Sequence, residues 1–279
     1  VIGDSISSGI FANTKMGKFP FKVFGKTLQS SAENLIELIR GDKDKYSEAL
    51  LKDAGDQRQL TAFGTKALWG LRSKLSKIYS KKTPAEIKVN NVAHVGNRST
   101  DMTEQMDKLT ASYAKGSPQA GHIFVLLGAN DFCSGKSAEE FKTDYADGLK
   151  YVLDSHETAN VVLGNLPPIN KLAKDGNGDK GIITDKKNVT LLRCKDFRRE
   201  YCKRMYEPTA TKQIADFNKA ITDVVTELRS KYPEHRLSVA KGISNIGLTE
   251  KHFAWDCFHP SELGQQDIAK ALIKTYSHL

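Results

Sequence analysis

Short runs of apolar and β-branched residues alternate with amphipathic helical patterns along most of the chain. The four clearest runs are bounded by turn residues, as buried strands are, and read "EIKVNNVAHV", "HIFVLLG", "NVVLGNL" and "RLSVA". Val1 and Ile2 look like the end of a further strand. Between the runs, apolar residues recur at helical spacing, as in Phe141, Tyr145, Leu149 and Val152 and again in Ile214, Phe217, Ile221, Val224 and Leu228.

This alternation of strand and helix narrows the fold to the α/β class. Successive parallel strands are joined by right-handed crossovers, and helices then cover both faces of the sheet. We therefore predict a three-layer α/β/α architecture with a central, mainly parallel sheet. Ligands of such sheets bind at the carboxyl ends of the strands. A chain of 279 residues is an ordinary size for one domain of this kind, so residues 1–279 are read as a single domain.

Two stretches interrupt the pattern and are predicted to be insertions, at about residues 11–30 and 170–210. The first has lysines among its phenylalanines and no acidic residue, and the phenylalanines are Phe11, Phe19, Phe21 and Phe24. Aromatic side chains beside lysines suit the wall of a site for an apolar, anionic ligand, so these four are candidate substrate-binding residues. A surface loop with phenylalanines packed into the core fits equally well. The second stretch contains "KDGNGDKG", two cysteines and many basic residues.

Charge and hydropathy restrict the partners. Lysine and arginine exceed aspartate and glutamate by 42 − 33 = 9, which favours anionic surfaces such as phospholipid headgroups, acidic glycans or nucleic acid. We predict no nucleic-acid partner, because zinc-finger spacing and long basic runs with interleaved aromatics are missing from the sequence. An anionic membrane surface remains a candidate partner. No apolar run approaches the roughly 20 residues that a helix needs to cross a bilayer.

The chain has four cysteines, Cys133, Cys194, Cys202 and Cys257, and none forms a C-x-x-C pair. This spacing disfavours a redox motif or a structural zinc site and allows two disulfides in any of three pairings. Cys194 and Cys202 are close in sequence, and a bond between them would leave Cys133 to pair with Cys257. Four reduced thiols in a cytosolic protein are the other interpretation.

Two segments at opposite ends of the chain supply a candidate nucleophile and base. Ser5 follows a Gly-Asp pair in "VIGDSISSGI", where a serine either caps a helix or attacks a substrate. Asp256 precedes His259 by three residues in "WDCFHPSELG". Such a loop can direct the carboxylate to one imidazole nitrogen and leave the other to take a proton from a serine. A surface Asp-His pair before a helix is the alternative for this segment taken alone.

Two further strand ends supply candidate donors for an oxyanion. Asn130 follows the strand in "LLGANDFC", and its side-chain amide is a neutral donor suited to an oxyanion. Gly96 follows the strand in "VAHVGNRSTDM" and offers a backbone N–H. Each segment alone fits an ordinary turn. Because a parallel sheet gathers its strand ends at one edge, the four segments together point to a single site.

These segments resemble the conserved blocks of the SGNH (GDSL-type) hydrolases, a group of lipases and esterases. The matching residues are Gly3-Asp4-Ser5, Gly96, Gly128-Ala129-Asn130-Asp131 and Asp256-Cys257-Phe258-His259. The strings "GANDFC" and "WDCFHPS" are also similar to phospholipase B-type members and to acyloxyacyl hydrolases. The resemblance implies a flavodoxin-like sheet. It departs from the family at the start, where only two residues precede the Gly-Asp-Ser turn.

The resemblance also implies a mechanism without a metal ion or other cofactor. Ser5 would be the nucleophile, His259 the base and Asp256 its partner. The oxyanion hole would consist of the amide of Ser5, the amide of Gly96 and the side chain of Asn130. The reaction would be ester hydrolysis through an acyl-enzyme on Ser5.

The phenylalanines, the positive charge and the phospholipase-like strings favour lipid acyl esters, such as phospholipid or lysophospholipid, as substrates. A carbohydrate or peptidoglycan O-acetylesterase on the same scaffold is the nearest alternative. A catalytically silent module that binds membrane or glycan is the second. Comparing hydrolysis of acetyl and long-chain acyl esters separates the first two.

The resemblance also bears on the cysteines and on location. If the loops of Asn130 and Asp256 border one pocket, a Cys133–Cys257 disulfide would brace them, and Cys194 would then pair with Cys202. Disulfides predict an oxidising compartment, so we expect a secreted or periplasmic protein. The short stub before Ser5 suggests that an upstream leader has been removed.

Overall fold

A parallel β-sheet lies at the centre of the described part of the chain. The computed structural model describes residues 1–8, 90–113, 119–174, 177–184, 190–254 and 256–276. In these ranges the strands are β1 (Ile2–Gly3), β2 (His122–Leu126), β3 (Asn160–Gly164), β4 (Gly181–Thr184), β5 (Thr190–Arg193) and β6 (Arg236–Ala240). The sheet has the order β1-β2-β3-β6 with every pair parallel, whereas β4 and β5 form a separate antiparallel pair.

The strand predicted for residues 86–95 differs from the structure in its described part, residues 90–95. This segment has no regular strand assignment, but it runs beside β1 and extends the edge of the sheet. The amide of Val92 donates to the carbonyl of Val1 at 3.0 Å, and the amide of His94 donates to that of Gly3 at 3.1 Å. Gly96 therefore lies just beyond the end of a chain segment adjacent to the nucleophile strand.

Helices connect the strands and cover the sheet. Those in the described ranges are α1 (Ser5–Ser8), α2 (Met102–Ala111), α3 (Ala129–Cys133), α4 (Ala138–Asp154), α5 (Cys194–Cys202), α6 (Ala210–Arg229) and α7 (Glu262–Tyr276). Short 3-10 helices occupy Ser99–Asp101, Ile169–Lys174, Lys203–Tyr206, Lys241–Asn245 and Glu250–His252. Among the residues described, no helix is both long enough and apolar enough to span a bilayer.

Alternate residues of the strands pack into two separate apolar clusters, one on each face of the sheet. In β2, Ile123 and Val125 join the cluster formed with α4 and α6, while Phe124 and Leu126 join the cluster formed with α7. The predicted apolar faces of α4 and α6 meet in the first cluster, which also contains Phe141 stacked on Phe217 at 4.5 Å between ring centres. The α/β class and the three-layer α/β/α arrangement with a parallel sheet are thus confirmed.

The predicted disulfide pairing, Cys133–Cys257 with Cys194–Cys202, is wrong. Cys133 is bonded to Cys202 and Cys194 to Cys257, with Cα atoms 4.5 Å and 5.5 Å apart. The reason is that Cys194 and Cys202 are the first and last residues of α5. At 1.5 Å per residue, eight helical steps separate their Cα atoms by about 12 Å, whereas a disulfide needs less than about 7 Å. Two disulfides are consistent with an extracellular or periplasmic protein.

Of the two predicted insertions, the structure describes residues only of the second. The stretch at 11–30, with Phe11, Phe19, Phe21 and Phe24, lies outside the described residues. In the second stretch, 170–210, the structure describes the β4–β5 pair, helix α5 and two short 3-10 helices. Both disulfides join α5 to the rest of the protein, so this insertion is attached covalently at two points.

Candidate active site

The nucleophile turn is a tight passage from β1 into α1, and Ser5 is the first residue of that helix. Gly3 is required there by space, since a Cβ atom on it would lie 2.3 Å from Ser7 Oγ and 3.1 Å from the carbonyl of Leu126. The buried side chain of Gln105 holds the same residue from α2. Its Oε1 accepts from the Gly3 amide at 2.7 Å, and its Nε2 donates to the Gly3 carbonyl at 2.8 Å. The turn that presents Ser5 is therefore fixed on both sides.

Ser5, His259 and Asp256 form one connected chain of hydrogen bonds. The Ser5 Oγ is 2.9 Å from His259 Nε2, and His259 Nδ1 is 2.5 Å from Asp256 Oδ2. Asp256 is fully buried, and only 6% of Ser5 and 8% of His259 are exposed. The carboxylate accepts a hydrogen bond from Nδ1–H, so Nε2 is left as the acceptor for the serine hydroxyl. This arrangement is the one that general-base activation of a serine requires.

The loop Asp256–His259, here called the base loop, is held in place by hydrogen bonds within the loop and between the residues that flank it. Asp256 Oδ1 accepts the amides of Phe258 and His259, each at 3.0 Å. The carbonyl of His259 accepts the amide of Ala254 at 2.8 Å, and the carbonyl of His252 accepts that of Ser261 at 2.8 Å. These contacts fix the imidazole relative to the carboxylate before any substrate binds.

The loops of the two predicted oxyanion donors, Gly96 and Asn130, are joined to each other. Asn130 Nδ2 donates to the carbonyl of Asn97 at 2.9 Å, which places it beside Gly96. The side-chain amide nitrogen of asparagine carries two hydrogens, so this bond leaves one N–H for an oxyanion. Gly96 has φ 84°, in the left-handed region that favours glycine.

The next residue, Asp131, also connects these two loops, through hydrogen bonds of its side chain. Its carboxylate is fully buried and accepts from the amide of Ser99 at 2.9 Å and from the Ser99 hydroxyl at 2.7 Å. Lys136 Nζ neutralises it at 2.8 Å. Asp131 therefore fixes the position of the Asn130 helix, α3, against the Gly96 segment.

Asp4 is a buried carboxyl beside the nucleophile whose pKa is raised from its ordinary value of 3.8 to about 7. Burial is the main cause, and the negative charge of Asp131 adds to it. The amide of Ile6, which donates to Asp4 Oδ1 at 2.9 Å, and the positive charge that His259 carries when it is protonated act in the opposite direction. Asp4 is therefore easier to bury as the neutral acid than as the carboxylate.

This shift predicts how the stability of the protein changes with pH. The unfolded carboxyl titrates near 3.8 and the folded one near 7, so the neutral acid favours folding below pH 4 and that benefit is lost as pH rises through 7. Relative to that of Asp4→Asn, the free energy of unfolding of the wild type should fall by an amount on the order of a few kcal/mol between pH 4.5 and pH 8. Urea unfolding at both pH values measures it. An unchanged difference between the two proteins would contradict the buried-acid interpretation.

The structure thus brings Ser5, Asp256 and His259 into contact and joins the segments of Gly96 and Asn130. Sequence reasoning missed Gln105 and the buried Arg198, which also contacts the base loop. Both lie in helical patterns where a polar residue normally faces solvent, so the sequence carries no signal for them. Within the described ranges, no group of three or more His, Cys, Asp or Glu side chains is placed to hold a metal ion.

Comparison with protein families agrees with the fold. The family described as GDSL-like Lipase/Acylhydrolase matches residues 1–272, and the chain belongs to this family. It is therefore a carboxylic ester hydrolase, and its substrates are esters. A comparison with curated proteins found no match.

Several solved structures resemble the chain at low sequence identity. A family 3 carbohydrate esterase of Clostridium thermocellum is 14% identical, with 67% of this chain and 68% of that chain covered and a TM-score of 0.43. A lipolytic G-D-S-L family member of Veillonella parvula is 14% identical, with coverages of 70% and 83% and a TM-score of 0.44. The psychrotrophic esterase EstA of Pseudoalteromonas sp. is 17% identical, with coverages of 74% and 86% and a TM-score of 0.43.

Proposed function

We propose that the protein hydrolyses lipid acyl esters through an acyl-enzyme on Ser5. The observation that carries the mechanism is the continuous hydrogen-bond chain from Ser5 through His259 to Asp256, with distances of 2.9 Å and 2.5 Å. A buried carboxylate, an oriented imidazole and a serine hydroxyl in contact are the three groups that acyl transfer needs.

In the proposed reaction, Ser5 Oγ attacks the ester carbonyl carbon while His259 Nε2 takes the hydroxyl proton. The carbonyl oxygen becomes an oxyanion, which accepts from the Ser5 amide, the Gly96 amide and Asn130 Nδ2. Collapse expels the alcohol, to which His259 returns the proton, and leaves the acyl group on Ser5. Water, deprotonated by His259, then attacks the acyl carbonyl. As the second intermediate collapses, the bond from the acyl carbon to Ser5 Oγ breaks, His259 returns its proton to Oγ, and the acid is released.

A lipid substrate is supported by charge and by the motif strings. The insertion 170–210 carries exposed cationic side chains at Lys171, Lys174 and Lys203, and α5 within it is bonded to the base loop. Positive charge connected to the site in this way would attract an anionic headgroup. The strings "GANDFC" and "WDCFHPS" resemble those of phospholipase B-type enzymes.

One observation favours a short acyl group, and with it the O-acetylesterase alternative. An apolar cleft is lined by chain neighbours of the catalytic pair, namely Ile6, which follows Ser5, and Phe258 and Pro260, which flank His259; Ser5 and His259 themselves do not line it. The volume of this cleft is about 30 Å³. That volume accepts about one small group without rearrangement of the walls.

An ester panel tests the substrate class. Wild type and Ser5→Ala are assayed on p-nitrophenyl esters from acetyl to palmitoyl, on phospholipid and lysophospholipid, and on acetylated glycan. A lipid hydrolase should show kcat/KM rising with chain length and activity on the phospholipids. Activity confined to acetyl esters would contradict the lipid proposal and favour the O-acetylesterase. Failure of a fluorophosphonate probe to label wild type at Ser5 would contradict the acyl-enzyme and leave a silent binding module.

A further inference from the structure

Helix α5 is covalently joined at both ends to the loops of the site. Cys194, its first residue, is bonded to Cys257 in the base loop. Cys202, its last residue, is bonded to Cys133 at the end of α3, the helix that contains Asn130. The insertion therefore bridges the base loop and the oxyanion loop.

Arg198 lies midway between the two cysteines on the same face of α5. It is four residues from each, and residues four apart on a helix are neighbours on its surface. Cys194, Arg198 and Cys202 are all fully buried. A buried guanidinium is unusual, because removing a cation from water is costly unless its donors are used. The N–H groups of Arg198 are therefore expected to have specific hydrogen-bond acceptors.

The guanidinium donates to two backbone carbonyls. Its Nε bonds to the carbonyl of Cys257 at 2.9 Å, and its Nη1 bonds to the carbonyl of Leu172 at 2.7 Å. Leu172 belongs to the 3-10 helix after β3. Arg198 thus connects the base loop to the segment that follows a central strand.

The bond to Cys257 acts on the carboxylate through one peptide group. That peptide, between Cys257 and Phe258, accepts from Arg198 at its oxygen and donates from its N–H to Asp256 Oδ1 at 3.0 Å. The other carboxylate oxygen, Oδ2, accepts from His259. A cation bonded to a peptide oxygen polarises the peptide and strengthens its N–H as a donor. Arg198 is therefore one peptide plane away from the group that orients the imidazole.

The backbone at this point needs external support. Cys257 has φ 62°, a left-handed conformation that is unfavourable for a residue other than glycine. Rotating the Cys257–Phe258 peptide out of this conformation would remove its N–H from Asp256. Arg198 opposes that rotation by holding the carbonyl on the other side.

We propose that Arg198 is a positioning residue for the catalytic base, acting through the Cys257–Phe258 peptide to hold the Asp256 carboxylate against His259. This role rests on the proposed function, since it presumes that Asp256 and His259 serve catalysis. It assigns to the insertion a contribution to turnover in addition to any contact with substrate.

The test compares Arg198→Met and Arg198→Lys with Arg199→Met. Arg199 is the matched control, because it lies in the same helix but is exposed, with its guanidinium over the Tyr206 ring. Arg198→Met should lower kcat about 10- to 100-fold with KM unchanged, since a small misplacement of a catalytic group has effects of this size. Arg198→Lys, which keeps the cation, should recover part of kcat. The low-field proton NMR signal of His259 Nδ1–H should move in Arg198→Met and stay in Arg199→Met.

The outcomes separate this proposal from the proposed function. If wild type is labelled at Ser5 and active, but Arg198→Met keeps its kcat and its proton signal, the positioning role is overturned and the acyl-enzyme mechanism stands. If wild type itself is neither labelled nor active, the proposed function fails. If Arg198→Met does not fold, Arg198→Lys decides. A lowered kcat with unchanged KM and a moved signal supports the role, and wild-type kcat and signal overturn it.

Discussion

Ser5→Ala and His259→Ala should each lower kcat by about 10⁵- to 10⁶-fold, and the double variant should lose no more than either single one. Ser5 Oγ and His259 Nε2 are 2.9 Å apart and serve a single proton transfer, so removing either partner removes the whole step. The residual rate would come from the oxyanion donors and substrate binding alone. Steady-state kinetics on a short p-nitrophenyl ester measures all three variants, with circular dichroism to confirm folding.

Ser7→Ala is the matched control for the nucleophile. Ser7 is in the same short helix and is also buried, but its hydroxyl has no hydrogen-bond partner among the described residues. Its loss should leave kcat close to that of wild type. Losses that multiply in the Ser5→Ala, His259→Ala double variant would show that the two residues act in separate steps, contrary to the proposed chain.

The fold class could be predicted because its signals are local. β2, β3 and β6 each coincide with a short apolar run, and the α4 and α6 patterns bury the predicted faces. The meeting of Ser5 with His259, 254 positions apart, was expected from the resemblance of their segments to one family. The strand-end rule accounts for Ser5, which follows β1, but not for His259, which lies in a loop well beyond the end of β6. The prediction of a regular strand was wrong for residues 90–95. This segment lies at the edge of the sheet, where a few hydrogen bonds to β1 hold it without regular strand pairing.

The disulfide pairing could not be derived in the same way. Closeness in sequence suggested Cys194 with Cys202, but the intervening residues form a helix that holds them apart. The pairing depends on where the insertion packs, which is a tertiary property. Once α5 lies across the site, each cysteine meets a different loop.

The supporting residues were hidden for a related reason. Gln105 and Arg198 are polar residues in helices, and such residues usually face water. Here each is fully buried and bonded to backbone atoms of a catalytic segment, Gln105 to Gly3 and Arg198 to Cys257. The four motif blocks contain the groups proposed to react, whereas the groups that hold them in place are dispersed through the rest of the chain.

Asp256→Asn should lower kcat by about 10⁴-fold, because it is expected to reverse the tautomer of His259. Asp256 Oδ1 accepts the amides of Phe258 and His259, so an asparagine would keep its oxygen there and turn its NH₂ group toward His259 Nδ1. Nδ1 would then have to accept, which moves the imidazole proton to Nε2. A protonated Nε2 facing Ser5 Oγ cannot take the serine proton.

Asp267→Asn provides the same chemical change at a second Asp-His pair, since Asp267 Oδ2 is 3.1 Å from His252 Nε2. It should leave kcat near the wild-type value, because the described partners of the Asp267 carboxylate are the side chains of His252 and Lys270 and not Ser5, Asp256 or His259, and the His252 contact near the base loop uses its backbone carbonyl, which the substitution keeps. Kinetics on the same p-nitrophenyl ester compares the two variants. A loss below about tenfold in Asp256→Asn would mean that the buried carboxylate does not control the imidazole tautomer. In that case the backbone bonds of the base loop, rather than the carboxylate, would orient His259.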